Sequence, residues 1–372
     1  MRVLSCLAGL LVVSVVSAQD YPIKPVPFTD VTFQSAFWSP RLETNRTVTI
    51  PFAFKKCEET GRIDNFAVAG GLKPGKFRGI RYDDSDVFKV IEGAAYSLAI
   101  QKDAELDKYL DELIAKIAAA QEPDGYLYTI RTIQKDSIRD PAAGRERWSF
   151  LQDSHELYNV GHLYEAAVAH HLATGKKTLL DVALKNADML LDTFGEGKRY
   201  AVPGHQEIEI GLVKLYRLTG KQAYLNLAVF FLDQRGRHQH RKQYAATWAS
   251  PPDYAYYQDH QPVTEQTEAV GHVVRAGYMY SGMADVATLT GNQAYINAIR
   301  TLWQNVTSQK MYITGGLGAN PHVEGFGPNY DLPNNAYNET CAAIANMLWN
   351  QRLFLLTGEA KYIDVLERTL YN

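Results

Sequence analysis

The chain has 372 residues, 46% of them hydrophobic, and a formal net charge of −3. That length supports a large core in one or two domains. The near-balanced charge marks no nucleic-acid partner, and three cysteines, one of them inside a leader-like segment, are too few for a disulfide scaffold.

Residues 1–18 read as a secretory signal. Arg2 supplies the positive start, residues 3–16 are mostly apolar, and Val16-Ser17-Ala18 offers small residues before Gln19. The apolar run is too short for a membrane span. A secreted or periplasmic protein is expected, with no stable membrane insertion once the leader is cut. Residues 19–40 read as an extended segment broken at Pro25 and Pro27, lying across the surface of a helical domain.

Residues 41–372 read as that one helical domain. A first helix is predicted near 41–60. A hairpin comes next over 86–121, opened by Asp84-Ser85-Asp86, whose carboxylates suit helix capping. In its second helix Leu106, Tyr109, Leu110, Leu113, Ile114 and Ile117 fall at i, i+3, i+4, i+7, i+8 and i+11. That is a single apolar stripe, with Asp103 as its N-cap. Further hairpins are predicted over 155–194, 206–236, 267–308 and 339–372. Each carries a Thr-Gly between its helices: Thr174-Gly175, Thr219-Gly220, Thr290-Gly291 and Thr357-Gly358. Glycine ends a helix by taking the left-handed conformation that a Cβ resists. In three copies a tyrosine follows four residues after the glycine, at Tyr224, Tyr295 and Tyr362. Such self-similarity signals a repeat architecture. The basic run 235–242 reads as a solvated loop.

First members such as 267–290 are apolar almost all round, and several second members carry a polar face. Two concentric rings result: an all-α fold, an (α/α)6 toroid. The count comes to eleven helices where such barrels close with twelve, so the last helix is expected to be lacking. An open α-solenoid is the alternative.

Three histidines sit at inner-helix starts or in the adjoining loops: His155, His205 and His272. Each alone reads as a hydrogen-bonded structural residue. Their comparable places in successive hairpins point to one central pocket. His155 and His162 share a helical face at i and i+7, which is not zinc-protease spacing. The stretch 315–341 is long and rich in Gly, Asn and Pro, and such loops are usually functional. Glu324 and Glu339 on it are candidates for the two carboxylates of a glycosidase. Glu339 with Cys341 is equally a partial ligand set, in which a thiolate favours zinc over magnesium or calcium. Two ligands do not complete a zinc site.

With these motifs in place, the chain resembles the β-L-arabinofuranosidases of glycoside hydrolase family 127, once grouped as a domain of unknown function, from about Val31 to Asn372. The matching stretches are DSDVFKVIEGAAY (84–96), QEPDGYL (121–127), SHELYNVGHLYEAAVAHH (154–171), GHQEIEIGLVKLYRLTG (204–220), GHVVRAGYMYSG (271–282), MYITGGLG (311–318) and YDLPNNAYNETCA (330–342). The resemblance implies an (α/α)6 barrel followed by β-sandwich domains, and exo-acting, retaining hydrolysis of plant-type glycans by a zinc-held cysteine nucleophile. It implies Glu324 as general acid/base, Glu339 and Cys341 as two zinc ligands, and His155, His205 and His272 as substrate-facing residues. The family's other two ligands are adjacent cysteines further downstream, one of them the nucleophile. This sequence holds no such pair. The zinc site is therefore expected to be incomplete, and the chain as given inactive. Two other readings stay open: an α/α-barrel epimerase or uronyl hydrolase, which would not need Cys341, and a non-catalytic glycan-binding module or inactive fragment.

Overall fold

The computed structural model describes residues 20–239 and 253–372. The leader at 1–18 and the end of the basic run at 240–242 lie outside the described residues. The described residues form helices and no strand. None of those helices is long and apolar enough to cross a membrane.

Residues 20–37 are irregular apart from a 3-10 turn. A continuous helical stretch comes next, made of α1 (Trp38–Thr44), a π-helical turn (Asn45–Thr49) and α2 (Ile50–Glu59). Two helices were not expected: α3 (Arg62–Ala69) and, further along, the short α6 (Thr129–Gln134), which packs on α3. The hairpins are α4 (Asp83–Ile100) with α5 (Ala104–Ala120), and α7 (Glu156–Thr174) with α8 (Thr178–Thr193). Beyond them lie α9 (Ile208–Thr219) with α10 (Gln222–Asp233) and α11 (Val273–Thr290) with α12 (Gln293–Gln309). The last pair is α13 (Thr340–Thr357) with α14 (Ala360–Tyr371). Helix α3 packs on α5.

The inner helices pack in sequence, α4 on α7, α7 on α9, α9 on α11 and α11 on α13. Burial matches this order. Every residue of α7 from Glu156 to His170, and of α11 from Val273 to Leu289, is buried. A helix enclosed all round has no polar face to show to water. The second members bury one stripe instead. On α5 it is Leu110, Leu113, Ile114, Ile117 and Ala120, with Leu106 and Tyr109 half-buried against the core. Asp103 caps this helix by accepting from the Leu106 N–H at 3.1 Å. A cavity of about 910 Å³ opens between α4 and α13, bordered by Lys89, Glu92 and Tyr96 on one side and Cys341, Ile344 and Leu348 on the other. A six-membered ring would place its remaining inner helix there.

The Thr-Gly repeat does what its glycines predict, and its threonines add a second function. Gly175, Gly220, Gly291 and Gly358 all take φ between 67° and 76°. The preceding threonine hydroxyls donate one turn back, to the carbonyls of His170, Leu215, Val286 and Leu353 at 2.6–2.8 Å. At three of the corners the same hydroxyl also accepts from the N–H just beyond the glycine, at Lys176, Lys221 and Glu359. The repeat tyrosines are almost fully buried. Tyr224 donates to Asp188 at 2.6 Å and Tyr295 to Asp233 at 2.5 Å, so each outer helix is tied to the one before it.

Two sequence readings are corrected. Asp84 does not cap its own helix. Its carboxylate is buried and accepts from the Thr129 N–H and hydroxyl at 2.9 and 2.5 Å, which fixes the start of α6. Burial pushes its carboxyl up to about 6 against those bonds. Arg235, at the head of the basic run, is not solvated. It is fully buried and donates to the carbonyls of Tyr257 and Pro203 at 2.9 and 2.6 Å. The charge run looked like a surface feature because sequence shows charge and not enclosure.

Candidate functional site

The N-terminal ends of α7, α9, α11 and α13 meet on one side of the toroid, and the predicted histidines sit there. His155 is the N-cap of α7, with φ 61°. His205 lies in the turn before α9, and His272 is the N-cap of α11. The His155 and His205 ring centroids are 5.6 Å apart, and those of His205 and His272 are 5.5 Å apart. The three rings form a row, as the sequence positions anticipated.

Glu324 ends the row. Its Oε2 lies 2.9 Å from His272 Nε2, across 52 residues of sequence. The backbone brings them together: His272 bridges Gly325, and the Val273 N–H donates to the Glu324 carbonyl at 3.0 Å. Glu324 takes φ 51°, a left-handed conformation that side chains resist. His155 and Glu324 thus both hold strained backbone within one site. The other Glu324 oxygen accepts from the Tyr337 hydroxyl at 3.3 Å.

The hydrogen bonds fix the proton positions. His272 Nδ1 accepts from the Arg275 N–H at 3.4 Å, so its proton is on Nε2 and is donated to Glu324. His155 and His205 instead donate from Nδ1, to the carbonyls of Asp153 at 2.6 Å and Gln206 at 2.9 Å. Their Nε2 atoms are then acceptors. Burial, with the Arg275 guanidinium nearby, holds His155 and His205 well below the usual imidazole range. Burial also holds His272 down, against the pull of Glu324. The His272 hydrogen bond in turn lowers the Glu324 carboxyl, more than partial burial raises it. A neutral imidazole therefore faces a carboxylate.

These shifts have a sign. Above pH of about 6.5, folded and unfolded histidines are both neutral. Below it the unfolded chain takes up protons that the buried rings resist, so stability falls with pH. Each such ring contributes at most about 1.4 kcal/mol per pH unit. The melting temperature is expected to drop as pH falls from about 7.5 to about 5.5, the range that brackets the imidazole titration, and to drop less steeply in His155→Gln.

Residues that the sequence reading passed over complete the cup. Tyr158 lies 4.3 Å from the His205 ring and accepts from Lys89 Nζ at 2.7 Å. Arg275 is held over the rings of Tyr256 and Tyr257 at 4.8 and 4.7 Å and donates to the Gly204 carbonyl at 3.2 Å. The available signal was spacing: Tyr158 and Arg275 each come three residues after a site histidine, one helical turn on.

Gly204 sets the depth of the row. A Cβ there would come within 1.9 Å of the Gln152 carbonyl oxygen. Its N–H donates to the Leu151 carbonyl at 2.9 Å, so the segments carrying His155 and His205 are in backbone contact. Gly204→Ala is expected to cost about 1–3 kcal/mol or more by overpacking, read by urea denaturation.

Glu339 is the N-cap residue of α13 and Cys341 its second residue. Both cysteines among the described residues are free, so Cys57 and Cys341 do not pair. Burial, the Glu339 hydrogen bond and its charge push the Cys341 thiol up to about 11. One Glu339 oxygen, Oε2, is buried without a partner. A soft donor beside an unpartnered buried carboxylate oxygen fits two positions of a zinc site. Among the described residues, no third His, Cys, Asp or Glu completes a ligand group with them.

Fold and site together define a helical-toroid protein that presents neutral imidazoles and a carboxylate to one open cup. The sequence profile of the β-L-arabinofuranosidase GH127 catalytic domain matches residues 30–372. The non-reducing end β-L-arabinofuranosidase of Bifidobacterium longum subsp. longum is 40% identical over 322 residues, 83% of this chain and 48% of that protein. A solved GH127 β-arabinofuranosidase superposes with TM-score 0.88 at 53% identity, over 95% of this chain and 54% of that one. A GH127 β-L-arabinofuranosidase from Geobacillus stearothermophilus T6 gives TM-score 0.85 at 42% identity, over 91% and 55%. The chain belongs to glycoside hydrolase family 127. It spans about half the length of these relatives.

Proposed function

We propose that this chain carries the sugar-binding cup and the acid/base carboxylate of an exo-acting, retaining β-L-arabinofuranosidase for plant-type glycans. The observation that carries this reading is the row His155–His205–His272 ending on Glu324. In that row neutral imidazoles stand beside a carboxylate, which supports the reading. Residues 1–18 are proposed to direct the protein to the periplasm or beyond.

Sugar hydroxyls are donors as well as acceptors. The Nε2 atoms of His155 and His205 are placed to accept from them, and the nearby Arg275 guanidinium supplies donors. Such fixed partners convert binding energy into orientation. A sugar filling the cup removes water from the half-exposed Glu324 carboxyl, which raises it toward its acid form. Glu324 then protonates the leaving oxygen and, in the second half of the reaction, takes a proton from water. His272 Nε2–H holds the carboxyl in place for both steps.

Zinc is proposed as the cofactor, with Glu339 and Cys341 as two of its ligands; when bound, it would keep thiolates deprotonated at neutral pH. Because two donors are too few, no step is derived through it. The nucleophilic cysteine and the remaining ligands are proposed to lie in residues outside this sequence that occupy the opening between α4 and α13, which Cys341 borders.

The test is hydrolysis of a β-L-arabinofuranoside by the full-length protein and by residues 20–372 alone. The reading requires turnover with retained anomeric configuration in the first case, and binding without turnover in the second. Turnover by residues 20–372 would overturn the placement of the nucleophile. Full turnover by Cys341→Ser would favour a mechanism that needs no zinc–thiolate site.

A further inference from the structure

Deeper in the barrel, below the histidine row, a second cluster of donors has no part in the chemistry above. His162 and Glu165 stand one turn apart on α7, and Glu207 is the N-cap residue of α9. All three are buried, Glu207 at 1% exposure. One ligand atom from each lies within 4.8 Å of the other two.

Glu165 and Glu207 are within hydrogen-bond reach of each other, but His162 is hydrogen-bonded to neither. His162 Nδ1 lies 3.5 Å from Glu207 Oε1 and 3.8 Å from Glu165 Oε2. Ligand bonds of about 2.0–2.1 Å at tetrahedral angles put neighbouring donors about 3.4 Å apart. Both Glu207 oxygens are buried, and without a proton shared with Glu165 neither has a hydrogen-bond partner. Such orphans are costly and call for an explanation. Lys214 does not fill the gap. Its ammonium pairs with the other Glu165 oxygen, Oε1, and with Glu92 at 3.3 Å. Glu165 Oε2 is left facing His162 and Glu207. Glu92, Glu165 and Glu207 outnumber this ammonium, and a divalent cation would let all three stay ionised.

We propose that His162, Glu165 and Glu207 form a binding site for a divalent transition-metal cation of the zinc type, separate from Glu339 and Cys341. An imidazole with two carboxylates suits zinc, cobalt or manganese better than calcium or magnesium. His162 and Glu165 face the inner wall of the cavity between α4 and α13. The site joins α7 to the start of α9, directly behind His205. The cation would brace the turn that carries that histidine. If no cation binds, a proton on Glu207 must do the same work, since burial and the Glu165 charge push that carboxyl well up.

The experiment uses the full-length protein carrying Cys341→Ser, stripped by chelator and titrated with Co²⁺. The expected result is one equivalent bound beyond any that the remaining thiolates hold, adding visible ligand-field absorption without adding to the near-ultraviolet thiolate-to-cobalt band. Adding Glu207→Gln or, independently, His162→Gln is expected to weaken binding by more than about tenfold, since changes beyond the ligands alone cost that much. Circular dichroism of each variant shows whether it remains folded. Absence of this thiolate-free equivalent in the Cys341→Ser background would overturn the site and leave the proton in its place. Unchanged affinity in both added variants would overturn it as well.

Discussion

In the full-length protein, Glu324→Gln is expected to lower kcat by about 10²–10⁴-fold on a natural arabinofuranoside, with KM little changed. The amide keeps the shape of the carboxyl and can still meet His272, but it cannot donate a proton to the leaving oxygen. The loss should therefore depend on the leaving group. A nitrophenyl aglycone needs little protonation, so its cleavage should suffer far less in the first half of the reaction. Added azide should restore turnover, because it needs no general base in the second half. A uniform loss across leaving groups, with no azide rescue, would remove Glu324 from the acid/base role.

Asp285→Asn is expected to be the most damaging single change to stability. Asp285 is buried in the middle of α11 and accepts from Arg352 Nε at 2.8 Å, Arg217 at 3.0 Å and the Tyr21 hydroxyl at 2.9 Å. These contacts tie α11 to α13, α9 and the N-terminal segment at once. Neutralising the carboxylate leaves the enclosed Arg352 without its counter-charge and Arg217 with Asp20 alone, and breaking such a buried pair costs about 3–5 kcal/mol. A pH dependence comes with it. Burial raises this carboxyl, but Arg352 and Arg217 outweigh burial and hold it below the usual carboxylate range. Its contribution is complete above the unfolded value of about 3.9 and is lost as pH falls through the lower folded value. Chemical denaturation at neutral pH should show the loss in the variant, and the two proteins should converge in strong acid. Equal stability at neutral pH would mean that the surrounding arginines find other partners.

The hairpins were legible because their signals are local. A stripe such as Leu110, Leu113, Ile114 and Ile117 repeats with the helix period, and Gly175 or Gly291 ends a helix by its own backbone freedom. The unexpected α3 has the reverse character. It has eight residues, too few to show a convincing period, and it is stabilised by packing on α5 rather than by propensity. The histidine row was legible for a different reason. His155, His205 and His272 occupy equivalent places in successive repeats, and a ring of repeats brings equivalent places together.

The sequence alone determined the helical hairpins, their inner and outer members, the family and the end of the barrel where the three histidines gather. All of these rest on periodicity, capping and motif order, which a chain carries within a few turns of itself. Only the tertiary structure decided which groups meet. It put Glu324 on His272, enclosed Arg235, turned Asp84 from a cap of its own helix into an anchor for another, and set Glu207 against His162. Those pairings join residues far apart in the chain, and in the interior a charge must find a partner or give up its charge. Which partner it finds is fixed by how the helices close around it.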